Sequence, residues 1–132
     1  MQKFKQFKLP IHTDDRFSLI EAGKDLDFVI KRVYVIVDGV KPSGAHCHKI
    51  EQEYFFVARG SVVMTIDDGS GLRDVNLDQG EAVYVGAYVW HHFKSFALGT
   101  VVVALSSTDY DSTRQDYISD YEEFRKLVGD SQ

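Results

Sequence analysis

The sequence predicts an all-β domain, a sandwich or barrel, followed by one short helix near the C-terminus. Three observations carry this: apolar residues alternate or run in short blocks, Val, Ile, Tyr and Phe dominate the blocks, and turn-forming residues separate them at roughly ten-residue spacing. With 132 residues, 44% hydrophobic and 27% charged, the chain reads as a single domain over 1–132 that can bury a core without disulfides or a structural metal.

Taken in order, Phe4 and Phe7 among Lys3, Lys5 and Lys8 break up any targeting pattern, so this stretch reads as structure. Strands are expected over 16–21, 29–37, 54–58, 62–66, 72–77, 82–85, 91–96 and 100–105. The breakers between them are Asp38-Gly39, Pro42-Ser43-Gly44, Arg59-Gly60, Asp67-Asp68-Gly69-Ser70-Gly71, Gln79-Gly80, Gly86 and Leu98-Gly99. Ser119 with Glu122 makes a capping-box signature. Tyr121, Phe124, Leu127 and Val128 then share one helical stripe, expected to pack across an open edge or end of the β-structure.

The 15 basic and 20 acidic residues leave a net charge of −5, which argues against nucleic acid or an anionic membrane as the main partner. The lone Cys47 cannot form an intrachain disulfide, and no apolar run has signal-peptide or membrane-spanning length. A cytoplasmic location is the expectation.

The chemistry concentrates in 44–54. On a strand His46 and His48 point to the same face, and Glu53 joins them if the next strand runs alongside. His46-x-His48, then Glu53, then Gly60, with Gly80 opening a second stretch that ends at His91, resembles the two motifs of the cupin superfamily. Gly86 stands where the second motif usually has Pro, and Tyr88 where it has Gly. The neighbouring His92 faces away from His91 and reads as exposed or structural.

Flanking segments carry a tighter resemblance. Ile30-Lys31-Arg32-Val33-Tyr34, Gly44-x-His46-x-His48-Lys49, Ile66-Asp67-Asp68-Gly69, Val85-Gly86-x-x-Val89-Trp90-His91 and Asp116-Tyr117-Ile118-x-x-Tyr121-x-Glu123-Phe124 together resemble the sugar-nucleotide 3,4-ketoisomerases. These are the FdtA/QdtA-type, WxcM-like cupins. The resemblance runs from about residue 14 to 128 and implies an RmlC-like cupin jelly-roll barrel. It also implies a metal-independent enzyme with no cofactor that moves the keto group of dTDP-4-keto-6-deoxyglucose from C4 to C3, in dideoxyamino-sugar synthesis for surface glycans. Homodimers with exchanged N-terminal strands are implied as well.

By residue match His46 and His48 are the catalytic pair and Tyr34 a pocket hydroxyl. His48 is assigned as the base, His46 as its proton-relay partner and Tyr34 as acid or oxyanion donor, with the order of the histidines open. Arg16 and Arg32, then Lys49 and Arg59, are candidates for the diphosphate; Tyr88, Trp90 and Phe93 are candidates for stacking on the base. Against each stands the plain alternative that strand aromatics are core and strand arginines solvated. Glu53 and His91 complete the expected substrate site.

The chain departs from the family's usual R-G-x-H-x-H at Ser43, for which Lys41 is a possible replacement charge, and from its usual Gln at Glu53. Phe17 stands after Asp14-Asp15-Arg16 where Gly is common. Glu53 makes His46, His48, Glu53 and His91 a full ligand set for a divalent transition metal, so a metal-dependent cupin enzyme stays open. A non-catalytic sugar-nucleotide-binding cupin is the third reading, because the Arg is missing.

Overall fold

A computed structural model describes residues 3–110 and 113–128. Among these the strands are β1 (Phe4–Lys8), β2 (Ile11–Thr13), β3 (Ser18–Ile20), β4 (Arg32–Ile36), β5 (Cys47–His48) and β6 (Glu53–Arg59). They continue with β7 (Ser61–Asp67), β8 (Arg73–Asp78), β9 (Glu81–Val85), β10 (Trp90–Phe96), β11 (Val101–Ser106) and β12 (Tyr117–Ile118), before the helix α1 (Tyr121–Val128). All eight expected strands form. The expected 29–37 begins only at Arg32, and Val29 and Ile30 before it are exposed. Of the expected 16–21, only the middle is paired, in the β2–β3 hairpin.

A five-stranded antiparallel sheet in the order β1-β9-β6-β11-β4 faces a three-stranded sheet in the order β10-β7-β8. The faces turned toward each other supply Phe55, Val57, Val62, Met64, Ile66, Leu77, Val83, Val85, Phe93 and Val102 to one core. Period-two alternation decides what else points inward: on β4, Arg32, Tyr34 and Ile36 turn in while Val33 and Val35 face out. Glu53 shares the inward face of β6 with Phe55 and Val57, and so enters the barrel as a charged residue in an apolar row. Gly60 turns β6 into β7 with φ of +85°, and a Cβ there would fall 2.4 Å from Thr100 Oγ1, so only glycine fits.

Residues 117–118 return across the chain to pair with 47–48, which closes one end of the barrel. The helix packs there, burying Phe124 with Cys47, Trp90 and Ile118. Two details of the helix differ from expectation. Its N-cap is Asp120, whose Oδ1 accepts from Glu122 N at 3.0 Å, rather than Ser119. Leu127, placed on the buried stripe, is 52% exposed, while Phe124 is the residue of the helix that is buried. Burial, ahead of the nearby Asp116 and Glu123 charges, pushes the Cys47 thiol up to about 11, so it is inert at neutral pH.

β1 pairs in full register with β9 of its own chain, from Phe4 opposite Val85 to Lys8 opposite Glu81. The β2–β3 hairpin is largely exposed, with Ile11, Phe17 and Leu19 each more than 40% exposed.

Candidate active site

At the end of the barrel capped by the β5–β12 pair, a cavity of about 260 Å³ is lined by Arg32, Tyr34, His46, His48, Glu51, Glu53, Tyr110, Arg114, Asp116 and Tyr117. Strand geometry aims the two histidines together as expected: their Nε2 atoms are 3.1 Å apart. Cys47 between them turns the other way into the helix cluster. His91 reaches the same point from β10, through a backbone bridge between residues 46 and 91. Its Nε2 lies 3.3 Å from Glu53 Oε1, and His48 Nε2 lies 3.5 Å from the same oxygen.

Backbone carbonyls fix two of the three imidazole tautomers. His46 Nδ1 is 3.1 Å from Gly44 O and His91 Nδ1 is 2.9 Å from Val89 O. A carbonyl only accepts, so both Nδ1 atoms carry a proton, and both Nε2 atoms face the cavity. Buried Glu53 Oε1 faces the Nε2 atoms of His91 and His48. Its other oxygen, Oε2, accepts from Tyr34 OH at 2.5 Å.

The electrostatics separate the two catalytic candidates. Burial, with the neighbouring His91 charge, drives His46 down to about 3, so it is a neutral imidazole at any working pH. Burial also pushes His48 down, but Glu53, Glu51 and Asp116 outweigh it and raise the group above its ordinary value. The two further carboxylates stand behind the ring: Asp116 Oδ2 is 3.4 Å and Glu51 Oε1 3.7 Å from Nδ1, an atom that otherwise has no partner. Burial raises Glu53, yet His48 and His91 more than offset it and hold its carboxyl well below the usual carboxylate range. Tyr34 is raised far above its usual range, by burial and then by Glu53, so it keeps its proton.

Of the residues expected in the site, His46, His48, Tyr34, Arg32, Glu53 and His91 are brought together. Arg16, Tyr88 and Trp90 are not in this cavity. Arg16 sits at the exposed hairpin, paired with Asp14 at 2.6 Å and lying over the ring of Phe17. Trp90 follows from strand alternation: its neighbour His91 turns in, so Trp90 turns out, against Tyr121 and Phe124. Tyr88 lines a separate hollow with Lys3, Lys49 and Tyr84. Its φ of +59° is the left-handed conformation that makes glycine usual at this motif position. Phe93 is core, Arg59 and Lys41 are exposed, and Ser43 is spent on the backbone, where its Oγ accepts from Phe93 N at 2.8 Å. His92 is half-buried and turned away from His91, as expected.

Sequence reasoning missed Glu51, Asp116, Tyr117, Tyr110 and Arg114. Glu51 ties together Arg32 at 3.0 Å, Ser106 at 2.9 Å and Thr108 at 3.0 Å. Asp116 accepts from three successive backbone amides, those of Lys49 at 2.9 Å, Ile50 at 2.6 Å and Glu51 at 3.0 Å. It thereby shapes the turn that carries His48. Tyr117 stacks on His46 with ring centroids 4.4 Å apart. For Asp116 and Tyr117 the signal lies in the Asp116-Tyr117-Ile118 stretch, which is part of the family resemblance.

The donor set also fits a divalent metal. His46, His48, Glu53 and His91 each offer an atom within 4.8 Å of the others, and the carbonyls on two Nδ1 atoms are the outer partners that metal-binding imidazoles have.

Three comparisons place the chain among known proteins. The family model "FdtA: WxcM-like, C-terminal" matches residues 2–129. A TDP-4-oxo-6-deoxy-alpha-D-glucose-3,4-oxoisomerase of Aneurinibacillus thermoaerophilus is 36% identical over 129 residues, covering 96% of this chain and 91% of that protein. The WlaRB TDP-quinovose 3,4-ketoisomerase of Campylobacter jejuni superposes with a TM-score of 0.84 at 32% identity, covering 96% of this chain and 99% of that one. A histidine-to-asparagine mutant of the 3,4-ketoisomerase QdtA of Thermoanaerobacterium thermosaccharolyticum, solved with TDP-4-keto-6-deoxyglucose, has a TM-score of 0.84 at 26% identity, with 97% and 95% coverage.

Proposed function

The chain belongs to the FdtA, WxcM-like C-terminal family, and from that premise we infer that it is a sugar-nucleotide 3,4-ketoisomerase acting on a dTDP-linked 4-keto-6-deoxyhexose in deoxysugar biosynthesis. The observation that carries the reading at the level of residues is His48. It stands among Glu53, Asp116 and Glu51 with neutral His46 at 3.1 Å.

Moving the carbonyl from C4 to C3 requires a base to take the C3 proton while O4 gains one, giving an ene-diol. The O3 proton then leaves and C4 is protonated, with no net change of oxidation state. A base for this step works best near the ambient pH, and the raised basicity of His48 meets that need. His48 takes the proton from C3 and returns it at C4. His46 presents a permanently neutral Nε2 for passing the hydroxyl proton between O3 and O4. Glu53 stabilises the imidazolium formed on His48, and Tyr34, held protonated, fixes Glu53.

A second reading is favoured by the fit of the four-residue donor set. His46, His48, Glu53 and His91 would hold a divalent metal, which would supply Lewis-acid polarisation of the substrate oxygens.

As to assembly, the outer face of the five-stranded sheet exposes Val33 and Val35 on its edge strand, and the hairpin exposes Ile11, Phe17 and Leu19. These support a homodimer in which N-terminal segments cross to the partner, the arrangement in which Arg16 serves a partner's substrate. Sedimentation of the purified protein tests this: a monomer at micromolar concentration removes it. The reduced lone thiol suits work in the cytoplasm.

The deciding experiment is an NMR time course of chelator-treated protein with dTDP-4-keto-6-deoxyglucose. A 3-keto product from wild type and none from His48→Asn is expected. A fully active His48→Asn variant contradicts the assignment of the base, and activity that returns only with added metal selects the second reading.

A further inference from the structure

The cavity has one cation that the reaction scheme leaves unused. Its charged lining consists of Glu51, Glu53 and Asp116 against Arg32 and Arg114. Arg32 is spent inside the protein, donating to Glu51 Oε2 at 3.0 Å. Arg114 is in none of the ion pairs among the described residues. Its guanidinium instead lies 5.2 Å from the ring centroid of Tyr117, the ring that stacks on His46.

Size decides which part of a nucleotide-sugar meets that cation. At about 260 Å³ the cavity falls short of the roughly 300–1,000 Å³ that whole small-molecule ligands fill. Its buried end, around His46, His48 and Glu53, takes the sugar ring, so the diphosphate and nucleoside must lie at the rim. The exposed lining residues at that rim are Tyr110 and Arg114. A diphosphate entering past three carboxylates meets unfavourable charge unless an unpaired cation stands at the entrance, and a guanidinium offers the planar fork that binds phosphate oxygens in pairs.

The mount of this side chain is tied to the catalytic strand. Tyr117 N donates to Arg114 O at 3.2 Å, holding residue 114 in a turn with φ of +55°, and Tyr117 itself pairs with His48 in the β5–β12 ladder. The cation and the base therefore sit at the two ends of one short, hydrogen-bonded span.

We propose that Arg114 binds the diphosphate of the sugar-nucleotide at the cavity rim, steadied by its contact with the Tyr117 ring. The proposal rests on the ketoisomerase reading, and its test separates the two. Calorimetry with TDP and with thymidine, beside steady-state kinetics on dTDP-4-keto-6-deoxyglucose, is run on wild type, Arg114→Ala and Arg114→Lys. Loss of a charge-assisted contact predicts that Arg114→Ala weakens TDP and raises KM by about ten- to a hundredfold, with kcat within about twofold and thymidine affinity unchanged. Arg114→Lys should recover part of the loss, because it restores charge without the fork.

Unchanged TDP affinity in Arg114→Ala overturns the assignment. So does a parallel loss for TDP and thymidine, which would mean a damaged rim rather than a missing phosphate contact. Wild-type protein that binds TDP and turns the sugar over while both variants match it sinks Arg114 alone. Wild-type protein that neither binds nor converts would remove the function and this assignment together.

Discussion

Glu53 and Asp67 are both buried carboxylates, 3% and 0% exposed, one opening β6 and the other closing β7, yet their surroundings differ in kind. Asp67 accepts from Gly69 N at 2.8 Å, Gly71 N at 3.1 Å, Tyr121 OH at 2.7 Å and Arg125 Nη1 at 3.2 Å. Its charge is met on both oxygens by the β7–β8 turn and the helix, and it locks the helix to the barrel. Glu53 has one oxygen bonded to Tyr34 and the other facing the Nε2 atoms of His48 and His91 beside a cavity. A buried charge that the protein satisfies is structural, whereas one that it leaves half-satisfied beside a cavity costs stability and marks where substrate chemistry is done. The same contrast explains why the acidic Ile66-Asp67-Asp68-Gly69 stretch, which the chain shares with the family, belongs to architecture rather than to the site.

That contrast can be broken by substitution. The largest effect is expected for His48→Asn, where loss of the base lowers turnover by about 10²–10⁴-fold while the melting temperature stays close to wild type. Initial rates by NMR and a thermal melt together check both halves. Next comes Asp67→Ala, which strands Arg125 and two backbone amides inside the structure and should cost about 3–5 kcal/mol in urea denaturation. Smaller still is Tyr121→Phe, which removes one hydrogen bond to a charged acceptor and should cost about 1.5–3 kcal/mol with turnover preserved. Its counterpart Tyr34→Phe should lower turnover as well as cost a similar amount of stability, because it removes the hydrogen bond to Glu53 Oε2.

Titration offers the mildest test, because the two carboxylate regions respond in separate windows. His48 must be neutral to accept a proton and its pKa is raised, so kcat/KM should climb with pH through a limb lying above 6.5 and then level off. Burial raises Asp67, but Tyr121, the two glycine amides and Arg125 carry it below its ordinary 3.8. A depressed carboxyl contributes stability that is fully present above the unfolded value and is lost as pH falls through the folded one, so the helix anchor should weaken only below about pH 4. An activity limb that coincides with acid unfolding would merge the two regions and remove the distinction.

Much of this was legible in the chain because period two is a strict rule. It put His46 with His48 and turned His92 away, and Glu53 followed once β6 ran beside them, whereas Tyr34 came from the family resemblance. The same rule applied to Trp90 beside His91 would have assigned the tryptophan to the outer wall. Asp116 and Tyr117 were legible only as part of the family resemblance and Arg114 not at all, since they reach the site only when residues 117–118 pair with 47–48, a closure that no local pattern encodes. Arg16 illustrates the converse: a phosphate contact was expected of it from residue type alone, and the fold places it on a solvent-exposed hairpin, paired with Asp14.

The contrast between the two carboxylates is tested most directly by their isosteric amides. Turnover and thermal stability are measured side by side for Glu53→Gln and Asp67→Asn. A crossed result is expected: Glu53→Gln loses turnover at nearly unchanged or higher stability, and Asp67→Asn loses stability while the folded fraction keeps its turnover. Two variants that lose both properties in equal measure would contradict the account.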